Sequence, residues 1–350
     1  MSLRLSYFPG CVLRGSTREY DLATRAVAAA LDVELVELPH WNCCGGVSVA
    51  SLKADALGAL GRRILEQVPA DAPELLCPCP HCYTNLARAR QSAGEKSAAE
   101  LRDVLDVFGR EEVLARLIER REEPLTDLRM VAYYGCKLFR PDPEALSLRR
   151  LEAGTQVQAA GAPTPRGEAG AKPLERIIEA CGATVVEWPR AGDCCGSALG
   201  VAEPEVADEL LGRIFQAALA CEADAIVVAC PLCHLNLDLR QYQVSQRLGR
   251  SVDIPIFYVS ELMAVALGMD ESEGWLERHV TSPLPMFMRW IEAQEEREYW
   301  GEEAPPSGPP GKAESPPTVG ASAGGEADAA TVASGAPEAE GKGAGDARAD

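Results

Sequence analysis

The chain has 350 residues, 47% of them hydrophobic and 25% charged, and its 53 acidic against 34 basic side chains give a formal charge of −19. That is enough apolar material for two to three domains at ~100–200 residues each, without the basic face that nucleic-acid binding requires or that docking on an anionic membrane favours. No uninterrupted run of ~18 apolar residues is present to span a bilayer, and the opening MSLRLSYFPGC lacks the apolar core of a signal peptide, so the chain reads as cytoplasmic.

Residues 3–8 read as a strand that stops just before Cys11. Ser16-x-x-Glu19 has the form of a capping box, and Tyr20, Ala23, Val27 and Leu31 follow at helical spacing. Residues 33–38 read as a strand ending before Cys43, 52–68 as a helix, and 74–77 as a strand running into Cys79, with a helix from about Tyr83. The order then repeats. Strands are expected at 130–134 before Cys136, at 184–188 before Cys194 and at 225–229 before Cys230, with helices at 174–181 and 205–221. This is β-α-β-α-β twice over, an α/β fold of two tandem Rossmann-like repeats with parallel sheets and crossover helices.

The expected domains are 1–125 and 126–300. The second includes a flexible Gly/Ala/Pro-rich insertion at about 154–173 and an amphipathic helix at about 285–300, with Met286, Phe287, Trp290 and Ile291 against an acidic end. From residue 301 onward Ala, Gly and Pro make up 30 of the 50 residues, and no aromatic, Leu, Ile or Met remains. Such a segment cannot bury enough apolar area to offset its ordering entropy, so 301–350 is expected to be a disordered acidic tail.

Thirteen cysteines in a reducing compartment read as metal ligands or redox thiols rather than as a disulfide framework. Ten fall into two matched sets: Cys11, Cys43, Cys44, Cys79, Cys82 and Cys136, Cys194, Cys195, Cys230, Cys233. The paired cysteines stand 34 residues before the CPxC in both copies, whereas the first gap is 31 residues in one copy and 57 in the other. The glycines of Cys43-Cys44-Gly45 and Cys194-Cys195-Gly196 recur, as do Gly10 with Gly135 and Asn85-Leu86 with Asn236-Leu237. Every cysteine element follows a strand. In a parallel sheet the carboxyl ends of the strands share one edge, where ligand sites form, so the five thiols of each copy are expected to converge there.

Crowded thiolates call for a soft cation or an iron–sulfur cluster. Five exceed the usual four ligands of one zinc, and side chains of adjacent residues diverge in extended backbone, which suits a larger multi-metal object. Gly45 and Gly196, lacking Cβ, are expected to allow positive φ and close backbone approach to a bulky cofactor. Zinc in one or both sets is the alternative on the residues alone. Cys77, Cys181 and Cys221 lack counterparts in the repeat and read as small buried hydrophobes. His40, His81 and His234 read as local or supporting neighbours of the cysteines. Arg14, Lys137 and Arg140 follow the first cysteine of each set, as solvated charges or as contacts for an anionic substrate.

Two copies of Cys…CCG…CPxC resemble the cysteine-rich CCG domains of the B subunit of heterodisulfide reductase and its bacterial relatives, over about residues 1–265. Glycolate- and lactate-oxidising iron–sulfur subunits carry similar domains. The resemblance implies two noncubane 4Fe-4S clusters, one on each five-cysteine set. It implies an oxidoreductase acting on a sulfur group, with a small disulfide bound between the clusters and reduced to two thiols, catalysis residing at those same ten cysteines. An electron-transfer subunit of a glycolate- or lactate-type oxidase complex is the alternative. Where relatives often have Gly-Cys-His, this chain has Gly135-Cys136-Lys137, a departure that bears on the substrate more than on the clusters. The chain has neither the CxxCxxCxxxCP run of ferredoxins nor a GxGxxG fingerprint after a strand. Its electrons are therefore expected from partners: an iron–sulfur subunit resembling the C subunit of heterodisulfide reductase and a flavin-containing subunit resembling its A subunit.

Overall fold

A computed structural model of the chain describes residues 3–46, 49, 54–92, 99–139 and 172–300. The expected tail at 301–350 lies outside these residues, as does the expected insertion at 154–173 apart from its last two positions. The first half runs β1 (Leu3–Tyr7), α1 (Gly10–Arg14), α2 (Arg18–Ala30), β2 (Val33–Glu37), α3 (Ala54–Leu65), β3 (Glu74–Leu76), α4 (Pro80–Ser92), β4 (Glu100–Arg102), α5 (Val104–Phe108) and α6 (Glu111–Arg120). The second runs β5 (Arg129–Tyr133), α7 (Gly135–Phe139), α8 (Pro173–Ala180), β6 (Thr184–Val185), α9 (Pro204–Ala220), β7 (Ala225–Val228), α10 (Pro231–Leu239), α11 (Gln241–Leu248), β8 (Ile256–Tyr258), α12 (Val259–Ala266), α13 (Glu271–Leu276) and α14 (Leu284–Trp300).

The strands form two four-stranded, all-parallel sheets of matching order, β2-β1-β3-β4 and β6-β5-β7-β8. Leu5 pairs with Leu35 in the first sheet, and Ala132 with Val227 in the second. β7 is an unbroken AIVV run buried along its whole length, as expected for a strand covered on both faces. Each sheet has one strand more than the cysteine repeat implied. β4 and β8 are three residues long, too short for a period-two pattern to show.

Three local readings change, the first being that the strand expected at 184–188 forms only over Thr184–Val185. The Ser16 capping box does not form: Thr17 is the N-cap of α2 and makes no side-chain cap bond. The backbone N–H groups of Gly15 and Thr17 both bond to the Val12 carbonyl, a turn that leaves Ser16 outside the helix. The helix expected from about Tyr83 starts instead at Pro80. Proline tolerates the first helical position because its missing N–H has no partner there, so Cys82 lies on a first turn rather than in a loop.

The halves share one core. Leu5, Val27, Phe108, Met130, Ile177 and Phe257 belong to a single buried cluster, and Thr24 of α2 hydrogen-bonds to Ser260 of α12 at 3.3 Å in the interior. The C-terminal helix packs on this body: Met286 is buried, Phe287 meets Phe257 edge-on, and Trp290 donates to the Thr126 carbonyl at 2.7 Å. Ile291, expected on the packed face, is half exposed.

Candidate metal centre

β1 and β5 run out at their carboxyl ends into Gly10 and Gly135, whose φ values of +71° and +65° suit glycine. Those glycines open α1 and α7, which carry Cys11 and Cys136. β2 and the residues after β6 lead to the paired cysteines, and β3 and β7 lead to the CPxC sequences, whose last cysteines, Cys82 and Cys233, sit on the first turns of α4 and α10. Topology thus brings chain segments 71 positions apart to one edge.

The sulfurs gather there. Cys11 and Cys43 lie 3.5 Å apart, as do Cys195 and Cys233. Cys82 hydrogen-bonds to Cys44 and to Cys79, the second set repeats this with Cys233 on Cys195 and Cys230, and Cys194 sits on Cys136 as Cys43 does on Cys11. None of the thirteen cysteines is disulfide-bonded. Cys44, Cys79, Cys82, Cys195, Cys230 and Cys233 are buried, whereas Cys11, Cys43 and Cys194 are exposed and Cys136 is intermediate.

Such crowding splits the thiols. Hydrogen bonding by Cys82 outweighs burial and, with the Gly46 amide and Asn85, holds Cys44 at about 6. Hydrogen bonding by Cys136 likewise brings Cys194 to about 6, helped by the Gly196 amide and the Lys137 charge. Burial and the Cys43 neighbour push Cys11 up to about 11, and Cys82, Cys136 and Cys233 are also raised. Each set therefore mixes low-pKa thiols with thiols whose protons are held by hydrogen bonds to neighbouring sulfurs, by burial and by nearby like charge. A cationic metal centre removes that constraint by displacing the protons.

Glycine placement leaves room at the sulfurs. A Cβ on Gly10 would lie 3.0 Å from the Cys82 sulfur, and one on Gly135 would lie 2.9 Å from that of Cys233. The glycines of the CCG triplets do adopt positive φ, +96° and +76°. Their missing Cβ atoms, however, face Val49 and Leu57 in one half and Ala207 in the other. They serve the turn and the packing of the following helix, and it is Gly10 and Gly135 that make room at the sulfurs.

The repeat also contains a clamp whose role sequence spacing did not disclose. Asn85 donates to the carbonyls of Cys44 (3.3 Å) and Gly46 (2.9 Å) and to the Cys44 sulfur (3.6 Å), and Asn236 donates to the Cys195 carbonyl at 2.6 Å. The matched Asn-Leu dipeptides were the only sequence signal. Helical spacing places Tyr20 on the inner face of its helix and gives no further role. Tyr20 is fully buried, its hydroxyl 3.4 Å from the Ala229 carbonyl, and its ionisation is opposed first by burial and then by Cys230 and Cys79, one cysteine from each set.

A cavity of about 400 Å³ opens over the second set. Cys136, Cys194, Cys195, Cys230 and Cys233 line it together with Lys137, and His81, Asn85 and Arg88 reach it from the first half. His81 is held neutral at about 4 by burial and by Lys137. Arg14 faces other partners: it pairs with Glu37 and Asp21. Arg140 lies outside the described residues. His40 sits in an exposed turn, its backbone held by Gln67. Cys77 and Cys181 are fully buried and Cys221 is half-buried.

The profile of the cysteine-rich domain family, CCG, matches residues 5–87 and 130–238. The chain belongs to this family and carries its domain twice. As a tandem CCG protein it is 29% identical over 303 residues to the B subunit of the ferredoxin/F420H2-dependent CoB-CoM heterodisulfide reductase of Methanosarcina acetivorans, a match covering 79% of this chain and 93% of the relative. It is 26% identical over 296 residues to the 8-methylmenaquinol:fumarate reductase membrane anchor subunit of Wolinella succinogenes, covering 80% and 98%. Among solved structures, a hypothetical protein from Helicobacter pylori has a similar fold, with a TM-score of 0.56 at 9% identity. That match covers 80% of this chain and 52% of the other. Among the described residues of the CCG protein, no helix is long and apolar enough to cross a membrane.

Proposed function

We propose that this CCG protein is the iron–sulfur subunit of a heterodisulfide-reductase-like complex, and that it reduces a small disulfide to two thiols. The observation that carries the reading is the gathering of matched cysteines at one sheet edge in each half, with a cavity at the second set into which the first half reaches. The similarity to the B subunit of the Methanosarcina enzyme over four fifths of the chain supports it. In this reading Cys11, Cys43, Cys44, Cys79 and Cys82 hold one noncubane 4Fe-4S cluster, and Cys136, Cys194, Cys195, Cys230 and Cys233 hold the other.

When bound, such clusters supply one-electron redox chemistry and sulfur-seeking iron. The chain's residues supply the rest. Asn85 and Asn236 fix the backbone of the paired cysteines. The fully buried Tyr20 ring lies near a cysteine of each set, Cys79 and Cys230. Lys137 and Arg88 bring positive charge to the cavity wall. Reduction of a disulfide consumes two electrons and two protons and releases two thiols. The electrons come from partner proteins, one with iron–sulfur clusters that resembles the C subunit of heterodisulfide reductase and one with flavin that resembles its A subunit.

The test is anaerobic purification with iron and sulfide analysis, electron paramagnetic resonance, and turnover of a disulfide with a reduced dye. About four irons per set and thiol release at two electrons per disulfide are expected. Colourless protein with about one zinc per set would replace this reading with a zinc-binding module. The Wolinella relative is named for a quinol and fumarate, with no disulfide, and it favours a second reading as an electron-transfer subunit. Fully iron-loaded protein that passes electrons onward but reduces no disulfide would establish that second reading.

A further inference from the structure

Beneath the second cysteine set lies a cluster of ligating groups that the cysteine chemistry does not use. His234 follows Cys233 on α10, Glu261 is on the first turn of α12, and His279 stands in the turn between α13 and α14. All three are buried, at 2%, 0% and 7% exposure. One nitrogen of each imidazole and one carboxylate oxygen lie within 4.8 Å of one another. The two imidazole rings meet edge to face, centroids 4.6 Å apart.

The hydrogen bonds determine what these groups present. His234 Nε2 lies 3.0 Å from the Ile256 carbonyl. A carbonyl only accepts, so Nε2 carries the hydrogen and Nδ1 carries a lone pair. That Nδ1 is buried and has no partner. His279 Nε2 lies 3.1 Å from Glu261 Oε1, and its own Nδ1 is likewise buried without a partner. The other Glu261 oxygen accepts the Tyr258 amide at 3.0 Å. With each Nε2 as donor, the Nδ1 lone pairs of both histidines stay buried without a donor, while the two Glu261 oxygens accept from His279 and from the Tyr258 amide. Leaving such nitrogens unsatisfied in the interior is costly.

Charge points the same way. Glu19 of α2, also buried, adds a second carboxylate close to Glu261 and His279. Among the described residues neither Glu19 nor Glu261 pairs with a lysine or arginine, and His279 is the one basic side chain bonded to Glu261. Burial and Glu261 oppose the charge on Glu19, while His279 and Arg278 favour it, and a bound divalent cation would favour it further.

We propose that His234, Glu261 and His279 bind a divalent cation, zinc, at a site separate from the ten cysteines. Two imidazoles and one carboxylate are a zinc ligand set, whereas magnesium and calcium prefer oxygen alone. Ligands of a tetrahedral zinc stand about 3.3 Å apart at bond lengths of ~2.0–2.1 Å, and one ligating atom from each of the three residues lies within 4.8 Å of the others. The Ile256 carbonyl orients the His234 ring from behind, as supporting groups of zinc-bound histidines do. The ion ties α10, which carries Cys233, to α12 and to the turn that leads into the C-terminal helix. Asp238 of α10 already accepts the Val280 and Thr281 amides of that turn, at 2.7 and 2.8 Å.

The site does not depend on what the cysteines hold, and its test counts zinc and iron separately. The full chain, purified anaerobically with its own metals, is assayed for both elements and examined by zinc K-edge X-ray absorption. One zinc per chain is expected, with nitrogen and oxygen neighbours at ~2.0–2.1 Å and no sulfur shell at ~2.3 Å. His279→Ala and Glu261→Gln are each expected to lower zinc at least tenfold at unchanged iron. Iron-loaded wild-type protein that holds no zinc, even after zinc addition, overturns the proposal and leaves a hydrogen-bonded network or a buried water in its place. Zinc with a sulfur shell also overturns it, because the ion then sits among the cysteines. Folded variants that keep their zinc do the same.

Discussion

Tyr20 of the first half and Tyr258 of the second stack face to face in the interior, ring centroids 4.1 Å apart and planes inclined by 7°. His234 stacks on Tyr258 as well, at 4.0 Å and 13°, so three rings join α2, β8 and α10. Each fully buried aromatic ring removes a large apolar area from water. Tyr20→Ala is expected to cost about 3–5 kcal/mol. Tyr20→Phe keeps the stack and loses only a long hydroxyl contact, for about 1 kcal/mol or less. Anaerobic urea unfolding of both variants checks this, and equal losses would mean that the ring contact contributes little.

Gly10 and Gly135 make room for sulfur. Adding a methyl group forces Cys82 or Cys233 to move, on top of about 1–2 kcal/mol for a side chain at positive φ. Gly10→Ala is expected to deplete the first set and Gly135→Ala the second, each taking about half of the iron. Gly249 has φ +64° with nothing within 4 Å of its absent Cβ, so Gly249→Ala carries the strain alone and should keep full iron. Iron analysis of the three variants decides the matter.

The asparagine clamps act on retention. Without Asn85 the carbonyls of Cys44 and Gly46 lose a buried donor, at about 1–3 kcal/mol. Asn85→Ala is expected to release iron from the first set several-fold faster to a chelator, and Asn236→Ala to do so from the second. Release at the wild-type rate in both variants would show that the CCG turn holds its shape unaided.

Glu37 sets an acid limit. Burial pushes its carboxyl up, but hydrogen bonds from Arg14, Trp41 and Arg25 outweigh this and bring it from the ordinary 4.5 to about 2. Since the folded value lies below the unfolded one, the stabilisation is complete above about pH 4.5 and is lost as pH falls through about 2. Solvent screening reduces it to about 1–2 kcal/mol. Glu37→Gln should therefore be less stable than wild type at pH 7, and the gap should narrow by pH 3. A gap independent of pH would mean that the carboxylate charge is not what the two arginines stabilise.

Much of this molecule is legible one segment at a time. Apolar runs such as AIVV, helical spacing from Tyr20 to Leu31, and the return of CCG and CPxC at equal separation are local signals, and a parallel sheet turns them into a shared edge because all its strands point one way. The start of α4 at Pro80 and the short strands β4 and β8 were harder to read, since a few residues carry no period. What tertiary structure alone decided is which distant groups meet. Arg14 turned to Glu37 rather than to the thiols, the glycines before Cys11 and Cys136 cleared space for sulfur, and His234, Glu261 and His279 came together from three separate elements. Those meetings depend on how helices dock across a common core, and no spacing along the chain records the docking of one helix on another.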